Sequence, residues 1–375
     1  MRFITGTGDA LPWMVLAFAA AAVLSLVFTP AVRRLVMRHG MIDRPEARRV
    51  NVVPIPRAGG LAVAAAFLLV AAVFLFLNER QRWLPVPFQL SDGELVALLL
   101  GGAGAAALGA LDDYFDLRAR WQLLMQVGLA AFAVALGIGI EVINNPFGPG
   151  VIRFEGIVAA GFTMFWIVGM MNSINWIDGL DGLSSGIALI AAVTLALISL
   201  TTQVAQPLIA VLCFALAGAL LGFLRWNFYP AVIFAGTSGV QFIGYSIAVL
   251  SILGSAKVAV ALLVLGVPII DTFWIIVRRL AARRSPFSPD RSHIHHRMLD
   301  LGLSHRQTVL MIYGICIALG LLSLLLSGVN QLYAFLGVFI VFGLILFVPT
   351  RGSLRAEELE ADAYENGTHS DTTGG

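Results

Sequence analysis

The sequence predicts an all-α, polytopic helical membrane protein, and three observations carry that prediction. Hydrophobic residues make up 59% of the 375 and charged residues only 12%, far from the soluble average. Apolar segments of roughly 17–20 residues, each able to cross a bilayer as a helix, recur along nearly the whole chain. Arginines gather in two stretches between such segments, Arg33–Arg57 and Arg278–Arg297, as they do in loops held on one side of a membrane.

Hydropathy marks about eleven candidate spans, near 11–29, 59–77, 95–111, 121–140, 156–171, 184–201, 207–224, 240–253, 257–277, 309–327 and 330–348. The first is followed by Arg33 and Arg34 instead of a small-residue cleavage site, so it reads as a retained span. The third runs straight into Asp112 and Asp113, and the fifth and sixth flank the polar segment 172–182. The eighth is short and reads as tilted, interfacial or partly re-entrant. The ninth holds Pro268 and the carboxylate Asp271, which at membrane depth is functional by default. Residues 1–350 form a single membrane domain with no long internal repeat. Residues 351–375, acidic and rich in small polar side chains, read as a disordered cytoplasmic tail. Cys213 and Cys316 lie inside apolar runs and read as small buried hydrophobes, with no disulfide framework.

The two basic loops belong in the cytoplasm, which places the N-terminus outside and the C-terminus in the cytoplasm. The loops after the third, fifth, seventh and ninth spans then share the cytoplasmic face. They carry Asp112-Asp113-Tyr-Phe-Asp116, the segment 172–182, Trp226-Asn227-Phe-Tyr-Pro230 and a histidine cluster. The outer loops are chemically poor. That one-sidedness, with no repeat, is unfavourable to a transporter.

Adjacent carboxylates at a membrane boundary repel each other and hold a proton or recruit a cation. On a continuing helix Asp113 and Asp116 share a face with Asp112 beside them. A solvated helix end is the plain alternative, but acids at a helix C-terminus oppose its dipole. Asn172, Asn175, Asp178 and Asp181 recur at intervals of three and present amides and carboxylates together. Gly179 and Gly182 let a ligand approach the backbone, where an ordinary glycine turn would carry no such acids. His293, His295 and His296 precede Arg297. With arginines nearby and no cysteine, they suit a phosphate or diphosphate better than a transition metal.

Taken together these motifs resemble a known family, the polyprenyl-phosphate N-acetylhexosamine-1-phosphate transferases, which include the cell-wall translocase that uses a muramyl-pentapeptide nucleotide. The resemblance runs collinearly from about Asp43 to about Tyr313. It rests on Asp43-Arg-Pro-Glu with Pro54-Ile-Pro-Arg57-Ala-Gly-Gly60, on Leu111-Asp-Asp-Tyr-Phe-Asp116, on the segment from Asn172 to Gly182, on Asn227-Phe-Tyr-Pro230-Ala, and on His293–Arg297. The stretch from Pro286 to Arg297 looks most like the branch acting on UDP-N-acetylhexosamines.

The resemblance implies transfer of N-acetylhexosamine-1-phosphate, the glucosamine form first, from a UDP-sugar to undecaprenyl phosphate, releasing UMP. The product would be the first lipid-linked sugar of a cell-wall or surface glycan. It further implies magnesium, with manganese as a substitute, and a multi-pass plasma-membrane enzyme with its active site on the cytoplasmic face. The implied partners are the polyprenyl phosphate lipid, the nucleotide sugar and the membrane, with no nucleic acid and a homodimer left open. Asp112 would deprotonate or orient the lipid phosphate, and Asp113 would assist it or the metal. Arg57, Asn172, Asn175, Asp178, Asp181 and Asn227 would hold the nucleotide and its metal-bound diphosphate. Asp113, Asp178 and Asp181 are the implied metal ligands, and His293, His295, His296 and Arg297 the implied holders of the sugar diphosphate. Three positions depart from the family pattern: Thr237 stands where a metal-binding acid is usual, Asn51 for a histidine and Gln122 for a lysine. They leave open a weakened or rearranged metal site, or a non-catalytic relative that binds lipid phosphate or nucleotide sugar.

Overall fold

The computed structural model describes residues 7–43, 54–81, 83–84, 90–145, 147–148, 150–201, 204–253, 258–281, 283 and 293–347. Asn51, Pro286–Asp290 and the acidic tail lie outside them. Helices α1 (Thr7–Arg38), α2 (Gly60–Gln81), α3 (Asp92–Phe115), α4 (Ala119–Ala135), α5 (Gly156–Ile177), α6 (Leu183–Ser199) and α7 (Pro207–Asn227) follow in order. Then come α8 (Gly236–Ile252), α9 (Val258–Val264), α10 (Gly266–Ala281), α11 (Ile294–Asp300), α12 (His305–Leu325) and α13 (Val329–Phe347). The strands are two short antiparallel hairpins. β1 (Ile42–Asp43) pairs with β2 (Ile55–Pro56), and β3 (Val142–Asn144) with β4 (Val151–Arg153).

Every apolar run in the sequence falls on a helix. Among the described residues six helices are long and apolar enough to cross a membrane, or seven if α9 and α10 count as one broken span; α4, α6, α8 and α13 are apolar but shorter. The ninth run is therefore not one straight helix. It bends by 78° between Val264 and Gly266. Pro268 has no N–H to give the carbonyl of Val264, so the helical ladder is interrupted there.

The eighth run, short and expected to be tilted, interfacial or partly re-entrant, is α8, which lies at the centre of the bundle with every residue from Ser238 to Ile252 buried. Helices α2, α3, α5, α6, α7 and α9 pack around it. Hydropathy sees the same apolar run whether lipid or protein covers it, so a short central helix looks like a weak span. The helices reach it over glycine. A Cβ on Gly60 would lie 1.9 Å from Gly239 Cα, and one on Gly109 would lie 2.5 Å from Ser238 Cα. Main-chain bonds fasten the same end: Phe234 N–H donates to Pro56 O at 2.8 Å, Gly59 N–H to Phe234 O at 2.8 Å, and Gly60 N–H to Ala235 O at 2.9 Å. Cys213 and Cys316 are buried free thiols, as their apolar settings imply.

Gly60→Ala is therefore expected to destabilise the protein by about 1–3 kcal/mol, as an overpacked contact does. A melting midpoint in detergent equal to that of the wild type would show that α2 and α8 are not in backbone contact.

Candidate active site

Segments distant in sequence meet at one end of the bundle, around a cavity of about 360 Å³. Asp43 and Arg57 come from the β1–β2 hairpin and its approach to α2, and Asp113 from the end of α3. Asn175, Asp178 and Asp181 come from the end of α5 and the turn beyond it, Asn227 and Thr237 from the α7–α8 connection, and His296 from α11.

Asp113 is 1% exposed. One carboxylate oxygen accepts from Thr237 N–H and the other from Ser238 N–H, both at 2.9 Å. These amides belong to the first turn of α8, where a helix has unpaired donors and a positive end. Gly236, at φ 70°, leaves room for this approach, since a Cβ there would lie 2.7 Å from Asp113 Oδ2. Arg57 lies on the same side, with Nη2 2.6 Å from Asp116 Oδ1 and Nε 4.0 Å from Asp113 Oδ1. Arg57 thus bridges Asp113 and Asp116, although the helix does not continue as their spacing alone implies: α3 ends at Phe115, and Asp116 is its C-cap at φ 49°.

Asp112 points elsewhere. Its Oδ1 accepts from Gln122 Nε2 at 2.8 Å and from Leu117 N–H at 3.0 Å. It lines a separate crevice of about 20 Å³, walled by Gln122, Gln126, Leu129, Met171 and Gln241. Thr237 lines both the cavity and the crevice. Asn172 does not reach the cavity. Its Nδ2 donates to Gln126 Oε1 at 2.7 Å, and Gln126 Nε2 donates on to Gln241 Oε1 at 3.1 Å. An interhelical amide network claims this side chain, one helical turn short of Asn175.

In the turn after α5, Asp178 Oδ1 accepts a short hydrogen bond from Ser184 Oγ. Burial pushes the Asp178 carboxyl up to about 6; the Ser184 bond pulls down, and the charges of Asp113 and Asp181 push up again. Asp181 Oδ2 accepts from Ala231 N–H at 2.9 Å. The buried Asn227 accepts from Ser185 Oγ at 3.0 Å and donates to Ile233 O at 3.1 Å, which fixes the α7–α8 connection against α6.

The histidine cluster does not face the cavity as one set. Of His293, His295, His296 and Arg297, His296 is the member that lines the cavity. His293 Nδ1 pairs with Asp271 Oδ2 at 2.7 Å, and Asp271 Oδ1 accepts from Ile294 N–H at 2.8 Å. Asp271 therefore orients His293 and caps α11. His295, 1% exposed, packs on Gly179, where a Cβ would lie 2.1 Å from its Nε2. Burial, followed by the neighbouring His293, His296 and His305, holds its proton affinity well below the ordinary histidine range. A neutral, enclosed ring offers a diphosphate no positive charge. Arg297 is buried as well.

The sequence reading missed Ser184, Ser185 and His305. The paired serines were visible as polar residues opening an otherwise apolar run; nothing local marks His305. Among the described residues no three His, Cys, Asp or Glu side chains form a metal cage. Magnesium needs only one or two protein carboxylates beside substrate phosphates and water. The cavity sets four carboxylates, Asp43, Asp113, Asp178 and Asp181, against Arg57 and His296. An anionic ligand would enter such a lining only with a cation, so the donor set fits a hard divalent metal.

The model of glycosyl transferase family 4 matches residues 95–255 of the chain. A Bacillus subtilis protein named "Probable undecaprenyl-phosphate N-acetylglucosaminyl 1-phosphate transferase" is 36% identical over 345 residues, 89% of this chain and 90% of its own. A Mycolicibacterium smegmatis decaprenyl-phosphate N-acetylglucosaminephosphotransferase is 34% identical over 369 residues, 91% of this chain and 89% of its own. A Yersinia pestis undecaprenyl-phosphate alpha-N-acetylglucosaminyl 1-phosphate transferase is 29% identical over 303 residues, 77% of each chain. The non-catalytic alternative finds no support among these relatives.

The raised carboxyl of Asp178 has a measurable consequence. A carboxyl with higher proton affinity in the folded state than in the unfolded one penalises the fold wherever it is ionised. In metal-free buffer Asp178→Asn is expected to stabilise the protein at pH 7.5 by about 1–2 kcal/mol, allowing for partial exposure. The advantage should shrink as the pH falls through about 6. Melting midpoints across that range test it; a pH-independent difference would remove titration as the cause.

Proposed function

The chain belongs to glycosyl transferase family 4, among the polyprenyl-phosphate N-acetylglucosamine 1-phosphate transferases, and on that premise we propose that it transfers N-acetylglucosamine-1-phosphate from UDP-N-acetylglucosamine to undecaprenyl phosphate. One observation carries the reading: a single cavity holds Asp113, Asp178, Asp181, Arg57 and His296, and among the described residues Thr237 alone also lines the crevice of Asp112.

An oxygen of the lipid phosphate bonds to the sugar-linked phosphorus. The bond from that phosphorus to the bridging oxygen breaks, and UMP leaves with that oxygen. Such transfers depend on positioning and charge neutralisation more than on covalent chemistry. Asp178 and Asp181, with Asp113 behind them, would hold magnesium or manganese, which neutralises the diphosphate and polarises its phosphoryl oxygens. Asn175 and His296 offer hydrogen bonds to the nucleotide sugar, and Arg57 a cation. Asp112 orients the lipid phosphate from the crevice side and takes its proton, steadied by Gln122.

The site faces the cytoplasm of a plasma-membrane protein that crosses eleven times, with its N-terminus outside and its C-terminus inside. Two features support this orientation. The third, fifth and seventh apolar runs lead into the site end and the second, sixth and eighth leave it, and of the described arginines Arg33 donates to Val232 O and Arg279 lies over the Trp176 ring near that end.

Purified protein given UDP-N-acetylglucosamine, undecaprenyl phosphate and magnesium is expected to release UMP and form a lipid-linked product, and a chelator should stop both. No product across several UDP-sugars would sink the reading. Asp112→Asn is expected to abolish exchange with nucleotide binding largely intact, and normal turnover would reassign Asp112. Thr237→Asp should lower the magnesium concentration for half-maximal activity; an unchanged value would mean that another ligand already replaces the missing acid.

A further inference from the structure

The C-terminal part of the chain grips the acid-bearing turn at a residue that no motif includes. Helix α12 opens with a capping box: Ser304 Oγ accepts from Gln307 N–H at 3.4 Å, and Gln307 Oε1 accepts from Ser304 N–H at 2.9 Å. This box aims His305 at the turn between α5 and α6. His305 Nε2 accepts a hydrogen bond from the backbone N–H of Asp181 at 2.9 Å. A ring nitrogen that accepts carries no proton, so the geometry assigns the proton to Nδ1. The same ring stacks on Tyr229, with centroids 4.5 Å apart and planes 29° from parallel. Two residues beyond Tyr229, Ala231 N–H holds the Asp181 carboxylate at 2.9 Å. Backbone and side chain of Asp181 are thus fixed by two elements that also fix each other. Further along α12, Tyr313 Oη donates to Gly182 O. Its ring lies so close to Gly186 that a Cβ there would fall 1.9 Å from it. Helix α12 therefore holds two successive residues of the turn.

We infer that His305 is a positioning residue for Asp181: its Nε2 fixes the main chain of the turn so that the carboxylate faces the nucleotide-sugar cavity. The inference rests on the reading of that cavity as a nucleotide-sugar site. The turn needs such help. Gly182, the N-cap of α6, has no side chain to cap the helix, and Asp178, which ends α5, spends Oδ1 on Ser184. Losing the Nε2 acceptor would leave the Asp181 N–H without its partner and free the turn to rotate its carboxylate away. Ring bulk alone would not prevent this, because stacking on Tyr229 fixes the plane of the ring and not the peptide of Asp181. Glutamine can place an amide oxygen where Nε2 sits. Phenylalanine keeps the stacking without an acceptor, and methionine has the length of glutamine without one.

The test uses full-length protein in detergent and measures magnesium-dependent binding of UDP by titration calorimetry, the melting midpoint, and kcat with KM in the transferase assay. His305→Phe is expected to weaken UDP binding about tenfold, the scale of one lost hydrogen bond with an unpaired donor left behind. His305→Gln should return to within about threefold of the wild type, with all three melting midpoints close together. Tyr313→Phe should weaken binding less than His305→Phe does. UDP affinity in His305→Phe equal to that of the wild type would overturn the inference, and so would a glutamine variant as weak as the phenylalanine one. Should His305→Phe fail to fold, His305→Met takes its place in the same comparison. A wild type that binds UDP but makes no lipid product would overturn the proposed reaction and leave the His305 inference to its own result. A wild type that binds no UDP would sink both.

Discussion

The contact on which the rest of the structure depends is the carboxylate of Asp113 against the first turn of α8. An acid at the end of α3 is unfavourable toward its own helix, whose C-terminal carbonyls are partly negative. Facing the amides of Thr237 and Ser238, the same carboxylate gains two hydrogen bonds that offset part of the cost of its burial, because those donors have no partner within α8. The end of one helix therefore cancels the beginning of another. Since α8 lies at the centre of the bundle, this pairing sets where its polar end emerges. The β1–β2 hairpin, the α5–α6 turn and the α7–α8 connection are then built around that end.

The pairing also divides labour between neighbours in sequence. Successive residues on a helix differ by about 100°, so with Asp113 turned to α8, Asp112 faces α4 and Gln122. Two carboxylates that read as one acidic pair end up serving two compartments. Thr237 stands between them and contributes its main-chain N–H to Asp113. A backbone donor is the same for any residue but proline. The absence of an acid at 237 therefore leaves the scaffold intact and removes only a charge from the cavity. Gln122, where a lysine is usual, likewise supplies a neutral donor to Asp112 without disturbing its placement.

The polar residues of the remaining motifs fall into those that face the cavity and those that hold others in place. Asp178 and Asp181 line it directly. Asn227 lines it too while bonding Ser185 and Ile233, whereas Asp271 spends its side chain on His293 and Ile294. His295 fills the space beside Gly179. A glycine there leaves room for the histidine ring, and it also lines the cavity.

The fold class and the gathering of polar chemistry at one end of the bundle are legible in the amino-acid order alone. Both are local properties: a bilayer demands a long apolar run wherever the chain crosses it, and acids beside such runs betray a polar face. Spacing did not show that α3 stops at Phe115, and it is Arg57 that brings Asp113 and Asp116 together. The centrality of α8, the 78° bend in the ninth run, the amide network that takes Asn172, and the reach of His305 to Asp181 across 124 positions emerge from packing alone. Such contacts join segments whose own periodicity is the same with or without them. No local pattern records which helix will cover another.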